Sequence, residues 1–228
     1  MANDRFSKKE AIKFGWGAMK NNLVFFILFL LVAWIISGGI SIANPYWGPH
    51  ILFFPSFFSI IFWLISIFVS IAAVKIGLRL SAAAGETAVV EDLWSGYTFF
   101  LDYLVGSLLY GLIVLGGLIL LIVPGIIWAI KYSMFGYLII DKDMKPVESL
   151  KKSGEITMGY KWQLFLLGLL FAGITLLGAL ACGIGLFAAI PTTLVAHAYV
   201  YRRLAYGVPA EQPVPVPQPQ EAAAPPEA

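Results

Sequence analysis

The chain has 228 residues, of which 60% are hydrophobic and 12% charged, with a formal net charge of +2. Fifteen basic and thirteen acidic residues are too few to give a soluble domain of this length a polar surface, so lipid must solvate much of it. The single cysteine excludes an intrachain disulfide and a cysteine-built zinc site. The basic residues fall in a few blocks, which excludes the continuous basic stripe of a nucleic-acid binder.

Residues 1–22 read as a cytoplasmic amphipathic segment carrying Arg5, Lys8, Lys9, Lys13 and Lys20. Ser7 and Glu10 have capping-box spacing, which marks a helix start. The membrane domain runs over residues 23–206. A bilayer core takes about 20 apolar residues of helix, and six stretches supply them: 23–43, 51–80, 103–123, 126–140, 162–180 and 186–201. The second is longer than a span needs, so it tilts or projects into water. The fourth is short, and Pro124-Gly125 interrupts the pattern before it. A signal peptide competes for the first stretch, with Ser41-Ile42-Ala43 as the small-residue cleavage site. The long apolar run and the basic segment before it favour a retained span. Cys182 reads as a small buried hydrophobe. Residues 207–228, rich in Pro and Ala, lack the apolar content to fold and read as a disordered cytoplasmic tail.

Charge placement orients the spans. The N-terminal segment, the ends at Lys75 and Arg79, the stretch from Lys142 to Lys161 and the close at Arg202-Arg203 are basic. The connections 44–50, 124–125 and 181–185 hold no Lys or Arg. The positive-inside rule then places both termini in the cytoplasm. The three cytoplasmic segments also share a pattern: an acid, an apolar residue two places on, and a nearby glycine. They read as three short surface helices, each leading a hairpin of two spans. In the third, Val147, Leu150 and Gly154 lie on one helical stripe, and Pro146 suits a first helical turn. Such helices either lie among the headgroups with their lysines on anionic lipid or pack on the bundle as linkers. The fold class is therefore all-α, a polytopic membrane bundle.

No nucleophile elbow, phosphate loop or zinc-protease motif is present. Gly15-Trp16-Gly17 and Gly183-Ile184-Gly185 read as packing or turn glycines. Ionisable residues inside spans are the better pointer to function. Lys131 and His197 are the polar-pathway candidates. For Lys131 the competing reading is snorkelling to phosphate or pairing with a carbonyl freed near Pro124; for His197 it is a satisfied core histidine. Lys75, Arg79, Lys151 and Lys152 are the lipid-headgroup candidates. No cofactor or metal is expected. The partners expected are membrane lipids and either a protein partner or a second copy, with no nucleic acid.

The second half carries a further pattern: Ile122-Val-Pro-Gly-Ile-Ile127, Lys131-Tyr-Ser-Met134, Asp141, Glu148-Ser-Leu-Lys-Lys-Ser153, Met158-Gly-Tyr-Lys-Trp162, Gly183-Ile-Gly185, Pro191 and Tyr201. It resembles the bacterial integral-membrane family known as domain of unknown function nine-seven-five. Related families include the membrane domain found beside some glycerophosphodiester phosphodiesterases. The resemblance implies a six-span protein of the bacterial inner membrane and implies no activity. A non-enzymatic membrane-organising, sensing or accessory role is the leading expectation. A small transporter or channel for a lipid, amphiphile or ion is the alternative.

Overall fold

The computed structural model describes residues 6–42, 53–82, 86–89, 91–181, 183 and 185–207. The connection at 44–50, Cys182 and the tail from 208 lie outside them. Among the described residues ten α-helices run in order: α1 Lys8–Asn21, α2 Leu23–Ile42, α3 Phe53–Leu80, α4 Glu91–Trp94, α5 Phe100–Leu120, α6 Ile122–Tyr132, α7 Phe135–Lys142, α8 Pro146–Ile156, α9 Lys161–Leu180 and α10 Leu186–Tyr206. A 3-10 turn at Tyr97–Phe99 precedes α5. No strand occurs among the described residues. The bundle is all-α; α1 stands before α2 and α3, α4 before α5 and the divided α6–α7 stretch, and α8 before α9 and α10.

Four helical stretches among the described residues are long and apolar enough to cross a bilayer: Trp63–Leu80, Tyr97–Leu120, Ile122–Lys142 and Lys161–Leu180. Five qualify if α1 and the described part of α2, bent by 89°, count as one broken span. Of the six expected stretches, α10 is the one too polar to qualify by composition. The reason lies in its position. Val195, Ala196, Ala198, Val200 and Tyr201 are fully buried, with α1, α3 and α9 packed around the helix. A helix surrounded by protein needs small residues for close approach more than it needs apolar ones for lipid. α5 and α9 show the converse. Leu112, Ile119, Leu169 and Leu177 are each more than 60% exposed, an apolar surface of the kind that meets a membrane or a protein partner.

The expected interruption at Pro124-Gly125 lies elsewhere. The backbone breaks at Leu121, which is extended at φ −168° and ψ 151°. Pro124 falls in the first turn of α6, where backbone N–H groups lack helical partners in any case. Gly117 and Gly125 then let α5 and α6 touch. A Cβ on Gly117 would lie 2.8 Å from the Gly125 Cα. α9 and α10 repeat the device, since a Cβ on Gly185 would lie 2.7 Å from the Gly178 Cα. Gly183 supplies the left-handed turn between them at φ +77°.

The opposite end of the bundle gathers the basic segments. Phe6 packs on Tyr160 with ring centroids 6.4 Å apart. Lys145 pairs with Asp102 at 3.1 Å, and Asp141 accepts a hydrogen bond from Tyr206. The starts of α1, α5 and α9 and the ends of α7 and α10 therefore share one end.

α1 does not lie apart from the bundle as a surface helix. It packs along α10, with Phe14 stacked on Tyr199 at 4.9 Å and Ala11 and Met19 buried. Gly15 makes the approach possible, because a Cβ there would lie 2.3 Å from the Thr192 carbonyl oxygen. Ser7 occupies the N-cap position of α1 but makes no side-chain capping bond, so the capping-box spacing marked the helix start without forming the box.

Candidate functional site

Lys131 sits at the end of α6, where the fourth span breaks. Between α6 and α7 the chain turns at Ser133 and Met134, so the helical bonds there are incomplete. α8 completes them. The Ser153 hydroxyl donates to the Lys131 carbonyl at 3.0 Å and accepts from the Met134 amide at 3.1 Å. The Thr157 hydroxyl lies 3.0 Å from the same Lys131 carbonyl and 2.8 Å from the Ser153 carbonyl. Ser153 and Thr157 are both fully buried. A backbone break in an apolar setting is tolerated when such side chains satisfy it. The carbonyl that binds is Lys131's own rather than one near Pro124, and it is satisfied by hydroxyls rather than by the ammonium.

The Lys131 side chain runs across Gly154. A Cβ there would come within 2.9 Å of Lys131 Cε. Its ammonium lies 4.9 Å from the centre of the Tyr132 ring, a cation–π distance. Here α5, α6 and α8 leave an open groove of about 480 Å³, to which Lys131, Lys151 and Glu155 contribute the charged groups. Val147, Leu150 and Gly154, expected on one helical stripe of α8, all line this groove, with Val147 56% exposed. The buried face beside it runs through Leu150, Ser153 and Gly154 to Thr157.

His197 lies elsewhere. Its Nδ1 is 3.4 Å from the Tyr137 hydroxyl, and its ring meets Tyr137 and Phe171 edge-on. Among the described residues no contact joins it to Lys131. It belongs instead to a polar layer at the basic end. There Tyr137 stacks on Tyr201 at 5.0 Å, and Asp141 accepts from the hydroxyls of Tyr201 at 2.8 Å and Tyr206 at 2.9 Å. Arg203 donates to the Tyr199 hydroxyl at 2.7 Å. Arg202 and Arg203, which close the last span, are both buried.

Of the four headgroup candidates, two hold the α3–α4 connection. Lys75 donates to the Ser95 hydroxyl at 2.6 Å. Arg79 reaches both carboxylate oxygens of Asp92 at 3.1 Å. Lys152 pairs with Glu155 at 2.9 Å along α8. Lys151 faces the groove with Lys131. Sequence reasoning gave no role to Ser153 or Thr157 and did not join Asp141 to Tyr201 and Tyr206, although Ser153, Asp141 and Tyr201 stand in the family pattern. The small and hydroxyl residues at 153, 154 and 157 were the available signal for the first two, at the three- and four-residue spacing of one helix face. No group of three or more His, Cys, Asp or Glu residues suited to a metal occurs among the described residues.

Comparison with known proteins adds no activity. The family described as protein of unknown function, DUF975, matches residues 109–206, the part holding both the groove and the polar layer. An uncharacterized protein of Mycobacterium bovis is 28% identical over 138 residues, and one of Mycobacterium tuberculosis is 27% identical over the same length. Each match covers 60% of this chain and 42% of the relative, so the match takes in less than half the length of those proteins. No solved structure matches the chain.

Proposed function

We propose that this chain is a non-enzymatic protein of the bacterial cytoplasmic membrane that organises, senses or accompanies a partner there, with both termini in the cytoplasm. The observation that carries this reading is the seating of the three short helices on the spans. α1 rests on α10 through Gly15 and Thr192, α4 is tied to α3 by Arg79 and Asp92, and α8 is bonded to α6 by Ser153 and Thr157. A basic end built of fixed helices suits a constant docking surface. The engagement of polar groups with one another, as in Asp141 with Tyr201 and Tyr206, supports a structural use of them over acid–base chemistry. The basic segments gathered at one end support the assigned orientation. Kinship with the membrane domain found beside glycerophosphodiester phosphodiesterases belongs to the same proposal.

The test is purification in a mild detergent with chemical crosslinking and mass spectrometry. A companion protein or a defined homo-oligomer at constant stoichiometry is expected. A strictly solitary monomer overturns the reading. Thiol labelling of single cysteines introduced at Lys9 and Lys161 in intact cells and inverted vesicles checks the orientation, with reaction expected from the inner side alone.

A small transporter for an amphiphile is the second reading, favoured by the groove that reaches Lys131. Unaltered flux through a Lys131→Ala variant in liposomes would remove that lysine from any such mechanism.

A further inference from the structure

The groove between α5, α6 and α8 carries two ammonium groups without carboxylate partners. Among the described residues the Lys131 ammonium meets the Tyr132 ring and no carboxylate, and Lys151 makes no ion pair or hydrogen bond with its side chain. Glu155 borders the same space, but its carboxylate is held by Lys152 at 2.9 Å. Two like charges facing one groove repel each other, and an anion placed between them relieves the repulsion. The Lys131 side chain is held in place rather than free. Its backbone carbonyl is bonded to α8, and its stem lies where residue 154 has no side chain.

The rest of the lining is apolar. Leu109 and Ile113 of α5 form one wall, and Val147, Leu150 and Met158 of the α8 region form the other. The α5 wall passes directly into the exposed face at Leu108 and Leu112, which are 47% and 64% exposed. Depth fits as well. Asp102 and Lys145, the latter's side chain 75% exposed, mark the watery end of α5. Leu109 lies seven residues further in, roughly 10 Å at the helical rise. That distance is somewhat more than the headgroup layer, roughly 5–8 Å on each side of the hydrocarbon core, and sets Leu109 at the core's edge.

We propose that this groove binds an anionic phospholipid, with its phosphate between Lys131 and Lys151 and an acyl chain along the Leu108–Leu112 face of α5. A soluble anion would satisfy the charges and leave the apolar walls unused; a zwitterionic lipid would bring its own cation to two ammonium groups.

The full chain, delipidated in detergent, is titrated with phosphatidylglycerol and with phosphatidylcholine, and bound lipid is counted by native mass spectrometry. Wild type is expected to take one phosphatidylglycerol in preference to phosphatidylcholine. Lys131→Gln with Lys151→Gln should weaken that binding on the order of tenfold. The control of equal charge, Lys9→Gln with Lys20→Gln on α1, should leave it unchanged. Gly154→Ala should weaken it without altering charge, by displacing the lysine stem. Lys151→Gln alone, at an exposed position, carries the test if the double variant does not assemble. Equal losses in the groove and control variants would reduce the effect to overall surface charge and overturn the site. Displacement of the lipid by millimolar inorganic phosphate would make it a soluble-anion site and overturn the lipid assignment. Equal affinity for the two lipids would also overturn it.

Discussion

Ser153 completes the helix that breaks after Lys131. In an unbroken helix the Lys131 carbonyl would accept from the amide four residues on, and Met134 would donate four residues back. The chain turns at Ser133 and Met134, and the Ser153 hydroxyl serves both orphaned groups, donating to one and accepting from the other. Ser153, with Thr157 beside it on the Lys131 carbonyl, thereby holds the join between α6 and α7 and the backbone of the lysine at the end of α6.

Ser153→Ala should therefore leave the Met134 amide buried without an acceptor, while Thr157 still reaches the Lys131 carbonyl. A loss of about 1–3 kcal/mol is expected. It can be read from the unfolding midpoint in mixed micelles titrated with sodium dodecyl sulfate. An unchanged midpoint would mean that the bend does not depend on this bond.

Gly15 and Gly17 should respond in opposite directions. A methyl group at Gly15 meets the Thr192 carbonyl, which cannot yield as a flexible side chain would, while at Gly17 nothing lies within 4 Å. Gly15→Ala should cost about 1–3 kcal/mol through overpacking and speed hydrogen exchange across α1. Gly17→Ala should stabilise α1 by up to about 1 kcal/mol through helix propensity. Equal behaviour of the two variants would refute the packing of α1 on α10.

The two tyrosines on Asp141 should differ in importance. Tyr201 is fully buried, and Tyr206 is only half-buried at the end of α10. Tyr201→Phe should cost roughly 1–2 kcal/mol, and Tyr206→Phe less, because water replaces its hydroxyl. The ranking can be checked by tryptophan fluorescence during unfolding in micelles. A larger loss for Tyr206→Phe would contradict it.

Arg79 and Asp92 form a pair with the arginine side chain 40% exposed and the aspartate 13% exposed. A double-mutant cycle of Arg79→Ala and Asp92→Asn should give a coupling of only about 0.2–1 kcal/mol, shrinking as salt is raised. A coupling independent of salt would show that the pair is shielded from water.

The long apolar runs carried the fold class, because hydropathy over some twenty residues is a local property that tertiary structure cannot conceal. Pro146 opens α8 as its position suggested, again a local matter of φ and a missing N–H. Contacts between distant residues were less legible. Gly15 and Thr192 are far apart in sequence, and nothing near Gly15 announces which helix it meets. The break after Lys131 was hidden because Tyr132-Ser133-Met134 contains neither proline nor glycine; the stronger breakers at 124 and 125 drew attention to a turn that the helix accommodates. Lys131 stood out as an ionisable residue within a span. Its companion Lys151 looked like any surface lysine, since their shared groove is formed by three helices together.

The seat of α1 on α10 also sets an order of events. The ribosome releases α1 before any of the long helices, yet the groove that receives Gly15 is formed by Thr192 and Ala196, which are made only after α2 to α9. Until then the apolar face of α1 must rest on lipid, on an insertion factor or on a temporary neighbour. Closing α1 onto α10 therefore waits for α2 to α10, and a chain halted before α10 would be left with α1 unhoused.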